Sequence, residues 1–415
     1  MEKLIDDEYK VTIIGNLIRD ERKAQKKSAS VIASLSGISQ QFLSELERGK
    51  KSLPYSTVHS VFNVLNIHFN PDIELIRRAD DLINNIINAY MNFDRDSMLS
   101  SLELLICNSY RYSYAYDYYQ TAILLKDIFI KKVDKPVFIR HFKNPKLEML
   151  NLICLEKTDS KNTMFYITQG LSYHSSTHTQ PSYCGLYCIL LFDLAEYHEK
   201  NNDLFKALSA YKEVIQAASA NYFRRFSLSA ELAYAITYSK LGDISLSQEY
   251  LERIISVAQP DDDIEKQLIY AAVINSATNF LIMGDYNKCQ ATAISLFNEN
   301  ISETNHNFVC YQLAFSNYML GNTDKALNYC KHYKLSDNDR SFPANFIRML
   351  ISLKSDTPNE QMLIDLFSTA LLNGDSSDVE VSFKLLTDVL KKNKDFAKAV
   401  EYYDKYIQYR FSKRI

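Results

Sequence analysis

A repeated spacing of small residues around short turns constrains this chain more than any other feature. Four turn-like dipeptides follow one another at intervals of 40, 42 and 37 residues: Asn202-Asp203, Gly242-Asp243, Gly284-Asp285 and Gly321-Asn322. An alanine stands seven residues before each turn, at Ala195, Ala235, Ala277 and Ala314. A small residue stands five residues after each turn, at Ala207, Ser247, Cys289 and Ala326. Small residues on both sides of a turn permit the close backbone approach of an antiparallel helix pair.

These predicted helix pairs resemble tetratricopeptide repeats of loosened length, and Lys394-Asp395 with Ala399 indicates a further copy. Such units cannot bury their apolar faces alone, so they are expected to stack into a right-handed α-superhelix with a concave surface. The chain has only 9 glycines and 8 prolines in 415 residues, which favours long uninterrupted helices. The expected fold class is therefore all-α.

The sequence also indicates the cellular compartment of the protein. No apolar run reaches membrane-spanning length, and residues 1 to 20 lack the basic start and apolar core of a secretory signal. The cysteines are odd in number and scattered along helical sequence, which favours reduced core thiols in a cytoplasmic protein. They are Cys107, Cys154, Cys184, Cys188, Cys289, Cys310 and Cys330.

The segment from Ser28 to Lys51 predicts a helix-turn-helix. Ala33, Gly37 and Leu43 have the spacing of two short helices that cross at a tight turn. Ala33 lets the helices approach each other, and Gly37 can adopt the positive φ that the turn requires.

The second helix of this motif is expected to begin at a polar N-cap. Ser39 stands at the N-cap position, so Gln40 and Gln41 on the first turn of the helix should point outward. A helix over Glu8–Gln25 is expected before the motif and another over Thr57–Asn66 after it. Together these helices predict a compact module of four helices.

Positive charge is concentrated in the same module. Residues 10 to 55 carry nine Lys or Arg and four Asp or Glu, a net charge of +5, whereas the rest of the chain carries −8. A basic module on an acidic body predicts that nucleic acid, if bound, is bound at the N-terminal end.

The N-terminal sequence resembles the Xre family of bacterial and phage repressors over about residues 9 to 68. The motifs that carry this resemblance are Ala33-x3-Gly37-x5-Leu43 and Leu46-Glu47-Arg48-Gly49-Lys50. The resemblance implies that Arg22 pairs with Glu47 as part of the scaffold, because a partly buried guanidinium suits a carboxylate.

The same resemblance implies where DNA is contacted. The reading positions of the family fall on Gln40, Gln41, Ser44 and Glu45, and a glutamine can form a bidentate pair with adenine. Members of the family often hold the DNA backbone with a glutamine where this chain has Ala29, so Ser28 and Ser30 are expected to share that role. The remaining expected DNA contacts are Ser39, Lys27, Lys50 and Lys51.

An Xre-type domain followed by a long tetratricopeptide array is similar to the peptide-pheromone receptors of Gram-positive bacteria and their phages, the grouping that includes the Rap, Rgg, NprR, PlcR, PrgX and AimR families. The resemblance implies two domains: residues 1–70 for DNA binding, and residues 71–415 for peptide binding and oligomerisation. It also implies a short signalling peptide on the concave surface, often held by asparagines, and a homodimer on a double-stranded DNA operator.

Candidate peptide contacts follow from the repeat register. Positions nine and six residues before each turn lie one helical turn apart and are expected to face the concave surface. Asn275 and Gln312 are the preferred pair, since a side-chain amide offers both a donor and an acceptor to an extended peptide. Asp193 is expected to take an amine or a cationic side chain. The candidate site is completed by Thr278, Asn279 and Tyr311.

Arg224 and Arg225 form a cationic pair at the start of a repeat. Arg225 is a candidate for a peptide carboxylate, but a surface ion pair is the favoured alternative for both arginines.

A string of metal-capable residues occurs at His174, His178, Cys184 and Cys188. The helical sequence after Pro181 favours core packing of the two cysteines, so no zinc site and no cofactor are predicted.

Six tyrosines follow one another closely between residues 110 and 119. Their period-two alternation could mark a strand, but the surrounding sequence favours one packed helix whose hydroxyls reach water. They are Tyr110, Tyr112, Tyr114, Tyr116, Tyr118 and Tyr119.

The chain shows no nucleophile motif, glycine-rich phosphate loop or paired catalytic carboxylates, so an enzyme is not expected. The favoured hypothesis is a DNA-binding transcription regulator controlled by a short peptide. One alternative is a protein-binding adaptor or a Rap-like antagonist or phosphatase of a response regulator, with DNA binding secondary. Another is a repressor whose repeats only oligomerise.

Overall fold

The computed structural model describes residues 4–5, 7–49, 53–131, 142–174, 181–352, 360–373 and 376–412. The chain divides into two compact units, Met1–Asp193 and Leu194–Ile415. The domain boundary expected at residue 70 falls inside the first unit and stays a prediction.

The first unit consists of short and medium-length helices. They are α1 Glu8–Ala24, α2 Ala29–Leu35, α3 Gln40–Glu47, α4 Tyr55–Leu65, α5 Glu74–Met91, α6 Arg95–Leu105, α7 Asn108–Arg111, α8 Tyr116–Leu125, α9 Pro145–Thr158 and α10 Thr163–His174. A π-helical turn, Lys126–Ile130, continues α8. Two strands of two residues, β1 Leu4–Ile5 and β2 Leu53–Pro54, pair in antiparallel fashion beside these helices.

The expected helix-turn-helix is confirmed as α2 and α3. Ser28 and Ser39 are the N-caps of the two helices, and Gly37 between them has a φ of +69°. Helix α1 approaches α3 so closely that a Cβ at Gly15 would lie 2.1 Å from the carbonyl oxygen of Leu46. A side chain at residue 15 would therefore separate the two helices.

The helix-turn-helix shares its hydrophobic core with residues that follow α7. Tyr114 and Tyr116 belong to the same buried cluster as Leu17, Leu43 and Phe62. The N-terminal helices are thus packed into the first unit by apolar side chains that lie about 100 residues apart in sequence.

The prediction of one continuous helix through the tyrosine run is wrong. The chain leaves α7 after Arg111 and enters α8 at Tyr116, with an isolated bridge from Ser113 to Asn70. The hydroxyls of Tyr116 and Tyr118 donate to Asp20 and Asp80 respectively and do not face water. Carboxylates on α1 and α5 take the place of solvent because both tyrosines are buried.

The second unit continues with helices joined by tight turns. Helix α11, Pro181–Lys200, contains the boundary between the units. It is followed by α12 Leu204–Ala220, α13 Arg224–Leu241, α14 Ile244–Val257, α15 Asp263–Met283, α16 Tyr286–Ile294, α17 Glu303–Met319, α18 Thr323–Cys330, α19 Phe342–Ser352, α20 Glu360–Asn373, α21 Ser376–Lys392 and α22 Phe396–Ser412.

The predicted repeat turns are confirmed. A left-handed residue stands at each turn, and the φ angles are +61° at Asn202, +95° at Gly242, +80° at Gly284, +79° at Gly321 and +59° at Lys394. The turns join α11 to α12, α13 to α14, α15 to α16, α17 to α18, and α21 to α22. A left-handed residue ends one helix and reverses the chain within two or three residues.

The small residues on both sides of these turns are also where the pattern predicts. Each of the four alanines before the turns is fully buried, at 0% exposure. Ala207, Ser247, Cys289 and Ala326 after the turns are likewise at 0%. In the copy at Lys394, Ala399 is partly buried against the same core. Repetition of one backbone contact therefore builds the second unit.

None of the helices in the described part of the chain is long and apolar enough to cross a membrane.

The Ala235→Leu substitution should destabilise the second unit. Ala235 has no exposed surface, so the larger side chain would force neighbouring helices apart at a cost of about 1–3 kcal/mol. The midpoint of urea unfolding, followed by circular dichroism, measures the loss. Ala233→Leu on the same helix is the matched control, because Ala233 is partly exposed. Equal stability of the two variants would contradict the close-packing argument.

Candidate functional site

The recognition helix of the N-terminal module is α3. Its N-cap Ser39 accepts a hydrogen bond from the backbone N–H of Phe42 at 3.1 Å, and Leu43 and Leu46 face the core. This register leaves the side chains of Gln40 and Gln41 exposed on the first turn of α3. The N-terminal residues of a recognition helix are those that reach base edges in the major groove.

The other two predicted reading residues lie on the same helix. Ser44 and Glu45 are partly exposed, and Glu45 accepts a hydrogen bond from the Nε2 of Gln41 at 3.3 Å. The contact holds the Gln41 side chain along the helix surface. The structure thus brings all four predicted reading residues onto one helix.

A bidentate ion pair fixes α3 against α1. Arg22 donates from Nε to Oε1 of Glu47 at 2.6 Å and from Nη2 to Oε2 at 2.8 Å. Its Nη1 also donates to the carbonyl of Lys27 at 3.1 Å. The hydrogen bond to Glu47 raises the pKa of Arg22 above its ordinary value. The scaffold role that the sequence resemblance implied for Arg22 and Glu47 is confirmed.

Two further polar contacts attach α1 to the segment around α7 and α8. Arg111 donates to Oε1 of Glu21 from Nη2 at 2.6 Å and from Nε at 3.0 Å, and Tyr116 donates to Oδ2 of Asp20 at 2.9 Å. Glu21 is almost fully buried. Sequence reasoning missed these contacts because the partners lie about 90 residues apart.

The residues predicted to contact the DNA backbone differ in how far their side chains are already engaged by the protein. Ser28 caps α2 by accepting from Val31 N–H at 3.3 Å, and its Oγ lies 2.9 Å from that of Ser30. Lys27 is half-buried and donates from Nζ to the Val64 carbonyl at 3.3 Å, so its charge is partly engaged by the protein. Lys50 and Lys51 lie outside the described residues.

Three exposed cations near the recognition helix complement this set. Lys23 lies in the last turn of α1, Lys26 lies two residues after that helix ends, and Arg48 is the C-cap of α3. Their side chains form no ion pair within the described ranges. The sequence alone did not assign these residues to DNA, since cations at a helix C-terminus also suit the helix dipole.

Among the candidate peptide contacts, Asn275 and Thr278 lie on α15 and are partly exposed. Asn275 donates from Nδ2 to the carbonyl of Ala271 at 2.8 Å, and Thr278 donates to the carbonyl of Ile274 at 3.1 Å. One turn of helix separates them, as the register predicts. Their role in peptide binding stays a prediction.

The expectation that Gln312 lines an open surface is wrong. Its side chain has no exposed surface, and Nε2 donates to the Ile274 carbonyl at 2.8 Å and to Oγ1 of Thr278 at 2.9 Å. The amide is used to connect α17 to α15. These contacts satisfy the donor side of the buried amide, while its Oε1 has no hydrogen-bond partner among the described residues.

Asn279 and Tyr311 are also interior residues and not surface contacts. Asn279 donates to Oγ of Ser247 at 2.9 Å and accepts from Oγ of Ser239 at 3.0 Å, which connects α15 to α13 and α14. Tyr311 is 6% exposed and packs edge-on against Phe342 and Phe346.

The charged candidates are engaged by opposite charges. Asp193 is 6% exposed and accepts from Nζ of Lys157 at 2.6 Å, so it is not available as an open anionic contact. Burial is the largest single influence and lowers the pKa of Lys157, but Asp193 and Glu156 together outweigh it and the pKa is raised.

Arg225 donates to Asp262, and Arg224 pairs with Glu265 at 2.9 Å. These are the ion pairs that the sequence analysis gave as the alternative for both arginines.

No group of three or more metal-capable side chains occurs in the part of the chain that the structure describes. Cys188 is fully buried and Cys184 partly buried. His178 lies outside the described residues, and the side chain of His174 is not described.

Comparisons with known proteins agree with both parts of this architecture. The helix-turn-helix family model HTH_3 matches residues 18–71. Among curated proteins, none matches the chain significantly.

Two solved structures that match the chain are of the quorum sensor NprR. The apo form, from B. thuringiensis, has a TM-score of 0.56 and 14% sequence identity, and the match covers 81% of this chain and 99% of that chain. NprR in complex with its cognate peptide NprX has a TM-score of 0.46 and 12% identity, with coverage of 80% and 98%. The family match and the apo structure together confirm the expected fold class, an N-terminal Xre-type helix-turn-helix followed by tetratricopeptide-like repeats. The matches are to a DNA-binding family and a quorum sensor, not to an enzyme family.

The Arg22→Ala substitution should destabilise the N-terminal module by about 3–5 kcal/mol, because it leaves the buried Glu47 carboxylate without its cation. Thermal unfolding of the full chain, followed by circular dichroism, measures the change. Arg22→Lys should restore only part of the stability, since an ammonium cannot form the bidentate pair.

Arg19→Ala is the control for this substitution. Arg19 lies on the same helix but contacts Asp20 at 3.5 Å with more of its side chain exposed, so a loss below about 1 kcal/mol is expected. A similar loss of stability in both variants would show that the Arg22–Glu47 pair stabilises the module no more than the Arg19–Asp20 contact does.

Proposed function

We propose that this protein is a cytoplasmic, homodimeric transcription regulator that binds a double-stranded DNA operator through α3 and is controlled by a short signalling peptide bound by its repeats. The observation that carries the proposal is the joining, in one chain, of an exposed recognition helix and an array of helix pairs. The first part provides an output on DNA. The second part offers the extended surface that repeat proteins use for binding.

The DNA-binding half of the proposal is supported by the recognition helix itself. Gln40 and Gln41 project from a helix whose opposite face is buried and whose position is fixed by Arg22 and Glu47. The exposed cations Lys23, Lys26 and Arg48 suit phosphate contacts around such a helix. Sequence would be read by the glutamines, and the cations would supply affinity without specificity.

The peptide-binding half is supported by the fold. The repeats share the fold of a quorum sensor over most of the chain. Of the three candidate amides on α15 and α17, Asn275 is partly exposed, whereas Asn279 and Gln312 are buried. Asn275 is therefore the candidate amide that we retain for the peptide, with Thr278 one helical turn away.

The contacts of α1 suggest how a signal would reach DNA. Because Glu21 and Asp20 are held by Arg111 and Tyr116, any displacement of α7 and α8 would carry the recognition helix with it. Two recognition helices of a dimer must lie whole helical turns of DNA apart. A peptide that favours one conformation of the repeats would thereby change the affinity for a palindromic operator.

Gln40→Ala and Gln41→Ala should each relax operator choice, with a loss of discrimination of about 1–3 kcal/mol at the contacted base pair. Selection from random duplex DNA, followed by competition with single-base variants at fixed salt, measures the effect. Ser34→Ala, on the exposed side of α2, is the control and should leave base preference unchanged. Glutamine variants with unchanged base preference would refute the assignment of α3 as the reading helix.

Phosphate contacts should behave differently from base contacts. Lys50→Ala is expected to weaken binding evenly across DNA sequences and to reduce the salt dependence of the affinity. Titration of two unrelated duplexes over a range of salt concentrations measures both effects. A loss confined to one duplex would show that residue 50 reads sequence instead.

A further inference from the structure

A groove of about 920 Å³ lies in the second unit between the α17–α18 turn and α20–α21. Its volume is within the range of about 300–1,000 Å³ that is typical of small-ligand sites. An apolar cavity in the first unit, lined by residues such as Ile86 and Phe129, has only about 30 Å³ and is too small for an amino-acid residue. The larger groove is therefore the better candidate for a ligand of peptide size.

The groove exists because of where α21 lies. This helix packs against α13 and α15, although about 100 residues separate it from α15 in sequence. Lys384 of α21 donates from Nζ to the carbonyl of Ile282 near the C-terminal end of α15. Helix α21 is thus attached to the earlier repeats and forms one wall of the groove, and the α17–α18 turn forms another.

The charges on the two walls are complementary to a zwitterion. Asp324 and Lys325 lie on the wall at the α17–α18 turn, and Asp388 and Lys392 lie one turn apart on α21. All four side chains are exposed, and none forms an ion pair in the described ranges. Asp388 also lies near Tyr286, whose pKa is raised by burial and secondarily by the charge of Asp388. Each wall therefore offers one carboxylate and one ammonium to a ligand.

The floor of the groove is apolar. Leu363 of α20 and Leu385 of α21 form its base but are almost fully buried, so its accessible apolar surface comes from the partly exposed Tyr318, Met319 and Val389. An apolar floor between charged walls suits a ligand with a hydrophobic side chain and charged ends. By contrast, the side chains of Gln312, Asn279 and Tyr311 are buried in the protein interior and do not face a ligand groove.

We propose that a short peptide with free termini binds in the groove between the α17–α18 turn and α21, with Lys325 and Lys392 facing its carboxylate, Asp324 and Asp388 facing its amine, and an apolar side chain on Met319 and Val389. This inference rests on the proposed function, because it names the site of the controlling peptide. A peptide in this groove joins α21 to the α17–α18 turn. Since α21 also packs on α13 and α15, occupancy links distant repeats and restrains their relative motion.

The test uses the full chain and a library of random-sequence peptides short enough to fill the groove. Peptides that remain bound through size-exclusion chromatography are identified by mass spectrometry, and their affinities are then measured by calorimetry. The groove variant is Lys325→Glu/Lys392→Glu, which should bind the retained peptides at least about tenfold more weakly. Peptides with acetylated and amidated ends should also bind more weakly than the same sequences with free ends.

The matched control is Lys331→Glu/Lys391→Glu, which makes the same change in net charge on α21 and just after α18 but outside the groove. It should bind peptides like the unmodified chain. If the retained peptides bind the groove variant with undiminished affinity, the groove is not their binding site, but the proposed function stands. Asn275→Ala would then be tested for a loss of peptide affinity. Equal binding of blocked and free peptides would overturn the assigned charge contacts. Failure of the unmodified chain to retain any peptide would refute the proposed peptide control, and the groove assignment with it.

Discussion

The close approach of helix backbones at small residues is the constraint on which the repeat region depends. At each of four turns, one small residue before the turn and one after it have no exposed surface. The requirement is for small volume and not for one residue type, since serine and cysteine replace alanine at two of these positions. Ser247 also accepts a hydrogen bond from Asn279. A packing position can therefore take on a polar role without opening the interface between neighbouring helices.

In the N-terminal module the corresponding constraint is electrostatic. The Arg22–Glu47 pair holds α1 and α3 together beside the close contact at Gly15, where a side chain would collide with the backbone of α3. A bidentate guanidinium pair fixes orientation as well as distance. The exposed glutamines of α3 therefore project from a rigid support. Rigid support is what base readout needs, because a loosely held side chain loses discrimination between bases.

Polar side chains inside the second unit have a structural role, although the sequence alone makes them look like ligand contacts. Gln312 has the residue type and spacing expected of a peptide contact, and Asn279 has the residue type. Yet their amides connect α17 to α15 and α15 to its predecessors. An amide satisfies a neighbouring helix and a ligand with the same donor and acceptor. Only the packing of adjacent repeats decides between these uses. The reverse holds for the groove beside α21. Its charged residues show no pattern in the sequence, and only the fold brings them together.

The sequence by itself determined the local features: the helix-turn-helix with its caps, the left-handed residues at the turns, and the small residues that allow helices to pair. These depend on backbone geometry and on spacing over a few residues, which a linear pattern records directly. The resemblance to the Xre family also implied the Arg22–Glu47 pair. The tertiary structure alone decided which polar residues are exposed, how Arg111 and Tyr116 hold α1, and where α21 leaves a groove. These depend on contacts between residues about 40 to 100 positions apart, and the pattern of a single helix does not reveal which neighbour will cover it.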